Sequence, residues 1–361
     1  MTEKRSSSRT RNGSGKQEKP KAKNGVRSSR RGATTGLTLQ DVARLAGVAP
    51  ITVSRVLNQP NLVAPETVEI VQKVIDQTGY VPNLLAGGLA SRKSGLIATM
   101  VPSLYNMMFV QVVEKLNELF NDAGYRLLLG LTGYPQRESE LIRTFLSRRP
   151  EAMILTGTLH APETRQLLYA AKIPIVEIWD YTPTPIDMLV GFSHDEIGRT
   201  IARFFHKKGY KRIYMVVARD RRAVMRCRAL KKELARLGVT DVHTQMTRSP
   251  GTFSRGREAL ARILDRDPKV DAVFCSSDSL AHGVLTEAQA RNLRCPQDIA
   301  ILGFGDLAFS AATYPALSTI AVEHDTIGRH SAEIILARLA GKPVPEKIVD
   351  VGFKIIERGS T

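Results

Sequence analysis

Cysteine is scarce in this chain, and Cys227, Cys275 and Cys295 stand far apart in its 361 residues. That excludes a disulfide scaffold and a paired zinc-ligand spacing, and the three read as buried or half-buried free thiols. No uninterrupted apolar stretch approaches the roughly 18 residues of a membrane span. The basic, polar start has no apolar core of a secretory signal, so a cytoplasmic protein is expected. No Ser/His/Asp constellation or metal-ligand cluster stands out, so neither an enzyme nor a cofactor or metal is expected. Acidic residues are also in deficit, 35 against 52 basic ones, for a formal charge of +17. Residues 1–36 hold eleven Lys and Arg against two Glu, about half of that surplus. Such an excess suits a polyanionic partner, because neutralised phosphates release condensed counterions.

Residues 1–36 have too few apolar side chains to order themselves and read as a disordered basic tail. Residues 37–81 read as three short helices, about 39–46, 50–58 and 65–79, a helix-turn-helix unit. Thr38 followed by Asp41 is a helix-start pattern. Gly47 suits the tight turn and Ala43 a close helix approach. Residues 82–94 form a linker, and from residue 95 to 361 apolar runs alternate with amphipathic stretches. That alternation predicts parallel sheets covered on both faces, more units than one sheet would hold. The expected fold class is therefore an all-α helix-turn-helix head plus hinge, then an α/β body of two doubly wound parallel-sheet lobes. Ligands in such bodies sit beyond the carboxyl ends of the strands, here between the lobes.

The run from Thr38 to Asn58, TLQDVARLAGVAPITVSRVLN, resembles the DNA-binding head of the lactose-repressor (LacI/GalR) family. The resemblance continues to the C-terminus and is greatest to repressors of gluconate and related sugar acids. It implies a periplasmic-binding-protein-like body, a repressor associated with the nucleoid, and operator DNA, a small sugar or sugar-acid effector and a second copy as partners. No heptad run follows Gly341, so a homodimer is expected rather than a tetramer, which the sequence does not exclude. By the same resemblance helix 50–58 lies in the major groove, with Pro50, Ile51 and Arg55 facing base edges. Arg55 suits a guanine, whereas Thr52, Ser54 and Asn58 suit phosphates, and Thr38 opens the first helix beside them. Val53 reads as core, Ile51 as outward-facing. Ala49 and Ala64 stand where relatives often carry a capping hydroxyl, a loss that Pro50 and Pro65 partly offset. In the hinge, Leu89 matches a leucine that wedges into the minor groove. Ala86 matches a small residue beside it, and Asn83 opens the segment.

For the effector, the resemblance points to Phe109, Asp180, Arg226 and Ser277. Asp180 precedes Phe192 by twelve residues, and Arg226 opens an Arg-x-x-Ala-Leu pattern. Arg228 competes for that match, and spacing to Gly238 favours Arg226. Many relatives carry a hydroxyl-accepting aspartate where this chain has Gly305 followed by Asp306. Its loss disfavours a neutral hexose, and a guanidinium suits a carboxylate. A sugar acid, gluconate or a keto derivative, is therefore expected, with Asp306, His160 and Arg137 as further polar contacts. Two rivals remain weaker. The stretch from Gly303 to Ala308, with Glu323 roughly twenty residues on, fits a loose dinucleotide fingerprint but stands late in the chain. A transport-type sugar-binding protein would share the body but not the helix-turn-helix.

Overall fold

The computed structural model describes residues 37–81, 94–133 and 137–361, which fall in two separate units divided after Asn83. The first unit holds α1 (Leu39–Leu45), α2 (Pro50–Asn58) and α3 (Pro65–Thr78). At the start of α1 the Thr38 hydroxyl accepts from the Asp41 amide (3.3 Å), and the Asp41 carboxylate accepts from the Thr38 amide (3.0 Å). This reciprocal capping satisfies two amides that would otherwise lack partners. Gly47, at φ +66°, makes the turn, and the Val48 amide then donates to the Ala43 carbonyl at 3.0 Å. Neither Ala49 nor Ala64 caps its helix, and each is followed by proline at the first helical position. Val42, Ala43, Val53, Val56, Val71 and Tyr80 form the small core.

The second unit contains both lobes. Lobe 1 begins with β1 (Leu96–Val101), α4 (Met107–Asp122), β2 (Arg126–Leu131) and α5 (Glu138–Ser147). It continues through β3 (Ala152–Thr156), α6 (Pro162–Ala171), β4 (Ile175–Ile178) and β5 (Met188–Gly191). The chain then enters lobe 2 with α7 (His194–Lys207), β6 (Ile213–Ala218), α8 (Arg221–Arg236), β7 (Val242–Thr247) and α9 (Phe253–Leu264). There follow β8 (Ala272–Cys275), α10 (Asp278–Ala290), β9 (Ala300–Phe304) and β10 (Ser318–Ala321). Finally α11 (His324–Leu339) and β11 (Ile348–Asp350) return to lobe 1, and β12 (Lys354–Ile356) ends in lobe 2.

The two six-stranded sheets run β11-β5-β4-β3-β1-β2 and β12-β10-β9-β8-β6-β7. All neighbours pair in parallel except β10 and β12. Their central strands are buried almost throughout, as helices on both faces require. The chain passes between lobes three times, so any rotation of one lobe bends all three connections. One of them is braced by Gly191: a Cβ there would stand 1.9 Å from the Asp180 carbonyl oxygen. No helix among the described residues is long and apolar enough to cross a membrane.

Candidate functional site

The outward face of α2 is built by its periodicity. Val53 and Val56 are buried, which turns Pro50, Ile51, Arg55 and Asn58 to the surface. Ile51 is 59% exposed, far more than a core role allows. Thr52 and Ser54 are half-buried on the flanks, and the Asn58 amide donates to the Ser54 carbonyl at 2.8 Å. Thr38 is exposed and its hydroxyl is engaged by Asp41 (2.6 Å). Asn83, Ala86 and Leu89 lie outside the described residues.

The body's cleft is lined from the carboxyl ends of its strands. Asn106 and Phe109 follow β1, Trp179 follows β4, and Asp220, Arg222 and Arg226 follow β6. Ser277 follows β8, Leu307 follows β9, and His194 stands on the first connection between lobes. They enclose a cavity of about 120 Å³. Aromatic rings form its apolar wall: Trp179 meets Phe109 edge-on at 5.1 Å and Phe192 at 5.7 Å. This packing holds Trp179 at φ +74°, a left-handed conformation costly for a bulky residue.

Arg226 is 3% exposed, and its guanidinium lies 3.7 Å from the centroid of the Phe304 ring. One terminal nitrogen donates to the Ser276 carbonyl (3.1 Å) and the other stands 3.1 Å from His194 Nδ1. Among the described residues no carboxylate pairs with it, and its Nε has no acceptor. Burial pulls its pKa down, although a guanidinium stays charged regardless. The Trp179 Nε1 is a second buried donor with no partner among the described residues. Arg222 lies over Phe109 at 5.6 Å, adding positive charge to the same wall. Asp180 backs this wall at 6% exposure, accepting from the Thr158 amide (3.2 Å) and facing His194 Nε2 (3.1 Å). Burial opposes its ionisation, but His194, Arg222 and the amide hold the carboxyl below its ordinary range.

Thus Phe109, Arg226 and Ser277 line one cavity, Asp180 stands behind its wall against His194, and Arg228 is exposed outside the cleft. Three expected contacts, Asp306, His160 and Arg137, are not among the cavity's lining residues. Asp306 sits in a left-handed turn (φ +51°) that directs its carboxylate to Arg358 (2.8 Å), so it borders a different depression. Gly305 keeps its place for a steric reason, because a Cβ there would lie 2.8 Å from Met108 Sδ. His160 is drawn into the interior of lobe 1 instead. Its Nδ1 meets Glu138 at 2.8 Å, and Nε2 lies 3.3 Å from Glu177 without hydrogen-bond alignment. Arg137 is exposed at the start of α5. Sequence reasoning overlooked Trp179, His194 and Arg222. The chain's single tryptophan directly before Asp180 was the available signal.

The His160 cluster carries a pH prediction. Burial pulls the imidazole down, but the two carboxylates outweigh it and push the pKa up to about 9. Since the folded value exceeds the unfolded one, near 6.5, the stabilisation is full below about pH 6.5 and fades through pH 9. Denaturant unfolding at pH 6 and pH 9.5 should therefore show roughly 2–3 kcal/mol more loss in the parent than in H160Q. Equal losses would mean that the pair is not charged.

Sequence and structure comparisons agree with this architecture. Residues 38–83 match the family model for bacterial regulatory proteins of the lacI family, and 202–361 match a periplasmic binding protein-like domain. The HTH-type transcriptional regulator GntR of Pseudomonas aeruginosa is 37% identical over 91% of this chain and 97% of its own length. The regulator of the same name from Escherichia coli K12 is 31% identical over 89% of this chain and 98% of its own. A crystal structure of a LacI-family transcriptional regulator from Silicibacter pomeroyi superposes with TM-score 0.84 at 34% identity. It covers 90% of this chain and 99% of that one.

Proposed function

The chain belongs to the lacI family of bacterial regulatory proteins, and from that premise we propose that a sugar acid, gluconate or a keto derivative, controls its grip on operator DNA. It is a transcriptional regulator rather than an enzyme, as its relatives are. The observation that carries the effector class is the buried guanidinium of Arg226, in ion-pair contact with no carboxylate among the described residues, beside the unpartnered Trp179 Nε1. A buried cation without a counter-ion is expensive, so the cleft gains most from a ligand that brings an anion. A carboxylate offers two acceptors to the guanidinium fork, which a hydroxyl does not. Asp180, Phe109 and Ser277 would hold the polyol portion.

On the DNA side, Pro50, Ile51 and Arg55 are the proposed base readers, and Thr38, Thr52, Ser54 and Asn58 position the head on phosphates. Residues 37–81 act as the head, and 82–94, with Asn83, Ala86 and Leu89, as the hinge that connects it to the body. Two copies would place two heads on a near-palindromic operator. The effector releases the DNA because it binds one lobe arrangement more tightly than the other.

The test is titration calorimetry against gluconate, ketogluconates and neutral hexoses, with operator mobility shifts under the same ligands. Binding of a sugar acid together with operator release is the expected result. A neutral hexose binding more tightly than every acid would overturn the effector class.

A further inference from the structure

Arg226 and Asp180 stand on either side of one imidazole, that of His194. The geometry points to His194 as a positioning residue, a neutral spacer that keeps Arg226 and Asp180 from neutralising each other, so that both stay available to an effector. This rests on the sugar-acid reading for its ligand, though not for its structural content.

The hydrogen positions follow from elementary valence. A guanidinium has no acceptor lone pair, so across the 3.1 Å contact Arg226 donates and His194 Nδ1 accepts. Nδ1 therefore carries no proton, and the ring's remaining proton sits on Nε2, from which it donates to Asp180 Oδ1 at 3.1 Å. The ring is 3% exposed, packed edge-on against Phe192 at 4.9 Å, and fixed as the first residue of α7. Burial and the neighbouring arginines, Arg226 and Arg222, hold its pKa below the ordinary value, and Asp180 opposes them. The charged groups facing it are thus Asp180 from lobe 1 and Arg222 and Arg226 from α8.

A neutral ring transmits hydrogen bonds but no net charge. Arg226 is consequently oriented at two nitrogens, by His194 and Ser276, while no carboxylate among the described residues is in ion-pair contact with it and Asp220 and Asp180 act on it only at longer range. Without the ring, the direct route between guanidinium and carboxylate opens. A buried ion pair in low dielectric then forms at the ligand's expense.

The test uses the full chain with gluconate as the probe, alongside ligand-free crystal structures. H194A should bind gluconate at least about tenfold more weakly than the parent, with Arg226 and Asp180 in direct contact in its ligand-free structure. H194Q, whose amide offers one acceptor and one donor, should recover most of the affinity. The decisive arm is D180N. In the parent it should weaken binding, because Asp180 serves the ligand, yet in H194A it should strengthen binding about tenfold by freeing Arg226. A merely structural histidine would not reverse that sign. If H194A does not fold, H194L, closer in bulk, takes its place. Losses from D180N in both backgrounds, or guanidinium and carboxylate remaining apart in the ligand-free variant, would overturn the spacer. If the parent ignores gluconate, the effector reading fails while the crystal structure still decides the spacer.

Discussion

An R226M chain is expected to bind operator as the parent does and to show at least about a 30-fold loss of sugar-acid affinity. The size follows from what the side chain contributes: a buried guanidinium fork that no carboxylate among the described residues engages in an ion pair. Removing a buried, hydrogen-bonded charge from its ligand costs about 2–5 kcal/mol. Lysine should not rescue it, because one ammonium cannot replace a planar fork held at Ser276 and His194. Stability should move the other way. Methionine keeps the bulk against Phe304 and removes a desolvated, unpaired cation, so the ligand-free chain should melt no lower than the parent. Thermal unfolding with and without gluconate reads both effects in one experiment. A variant that melts far lower yet retains the gluconate-induced shift would show that Arg226 is structural and the carboxylate binds elsewhere.

Much of this was legible in the sequence because the signals were local. The Thr38–Asp41 pair, Gly47 and the apolar spacing around Val53 and Val56 lie within single helical turns and fix the head. The buried strands are legible as apolar runs in the sequence, Ile213–Ala218 and Ala300–Phe304 among them. Edge strand β7 was missed because Val-His-Thr-Gln-Met-Thr has no such run. The first turns of helix α8, from Arg221, are harder to read, because Arg226 occupies one of its buried positions and hides the apolar period. The misplaced contacts, His160 and Asp306, fail for a shared reason. Their partners Glu138, Glu177 and Arg358 stand 17 to 52 residues away in sequence, and only the folded chain brings those charges together. His194 was invisible for the complementary reason, since its role is defined by Asp180 and Arg226 in elements of different lobes.

Asp278→Ala should produce the largest stability loss within lobe 2, on the order of 3–5 kcal/mol. The residue is fully buried and its carboxylate accepts from three donors in a second part of the chain. These are the Leu307 amide (2.9 Å), the Ser310 hydroxyl (2.8 Å) and the Thr319 hydroxyl (2.6 Å). Gly303 leaves the carboxylate its room, since a Cβ there would stand 2.1 Å from Asp278 Oδ1. Alanine strands all three buried donors. The damage should also reach the cleft, because Ser277 immediately precedes Asp278 and Leu307 lines the same cavity. D278N retains an acceptor oxygen for part of this network and should recover about half of the lost stability. Denaturant unfolding of both variants, followed by gluconate titration of whichever remains folded, tests the arrangement. Should D278A unfold at the parent's midpoint, the three contacts would not be what holds the β9 and β10 loops against the effector cleft.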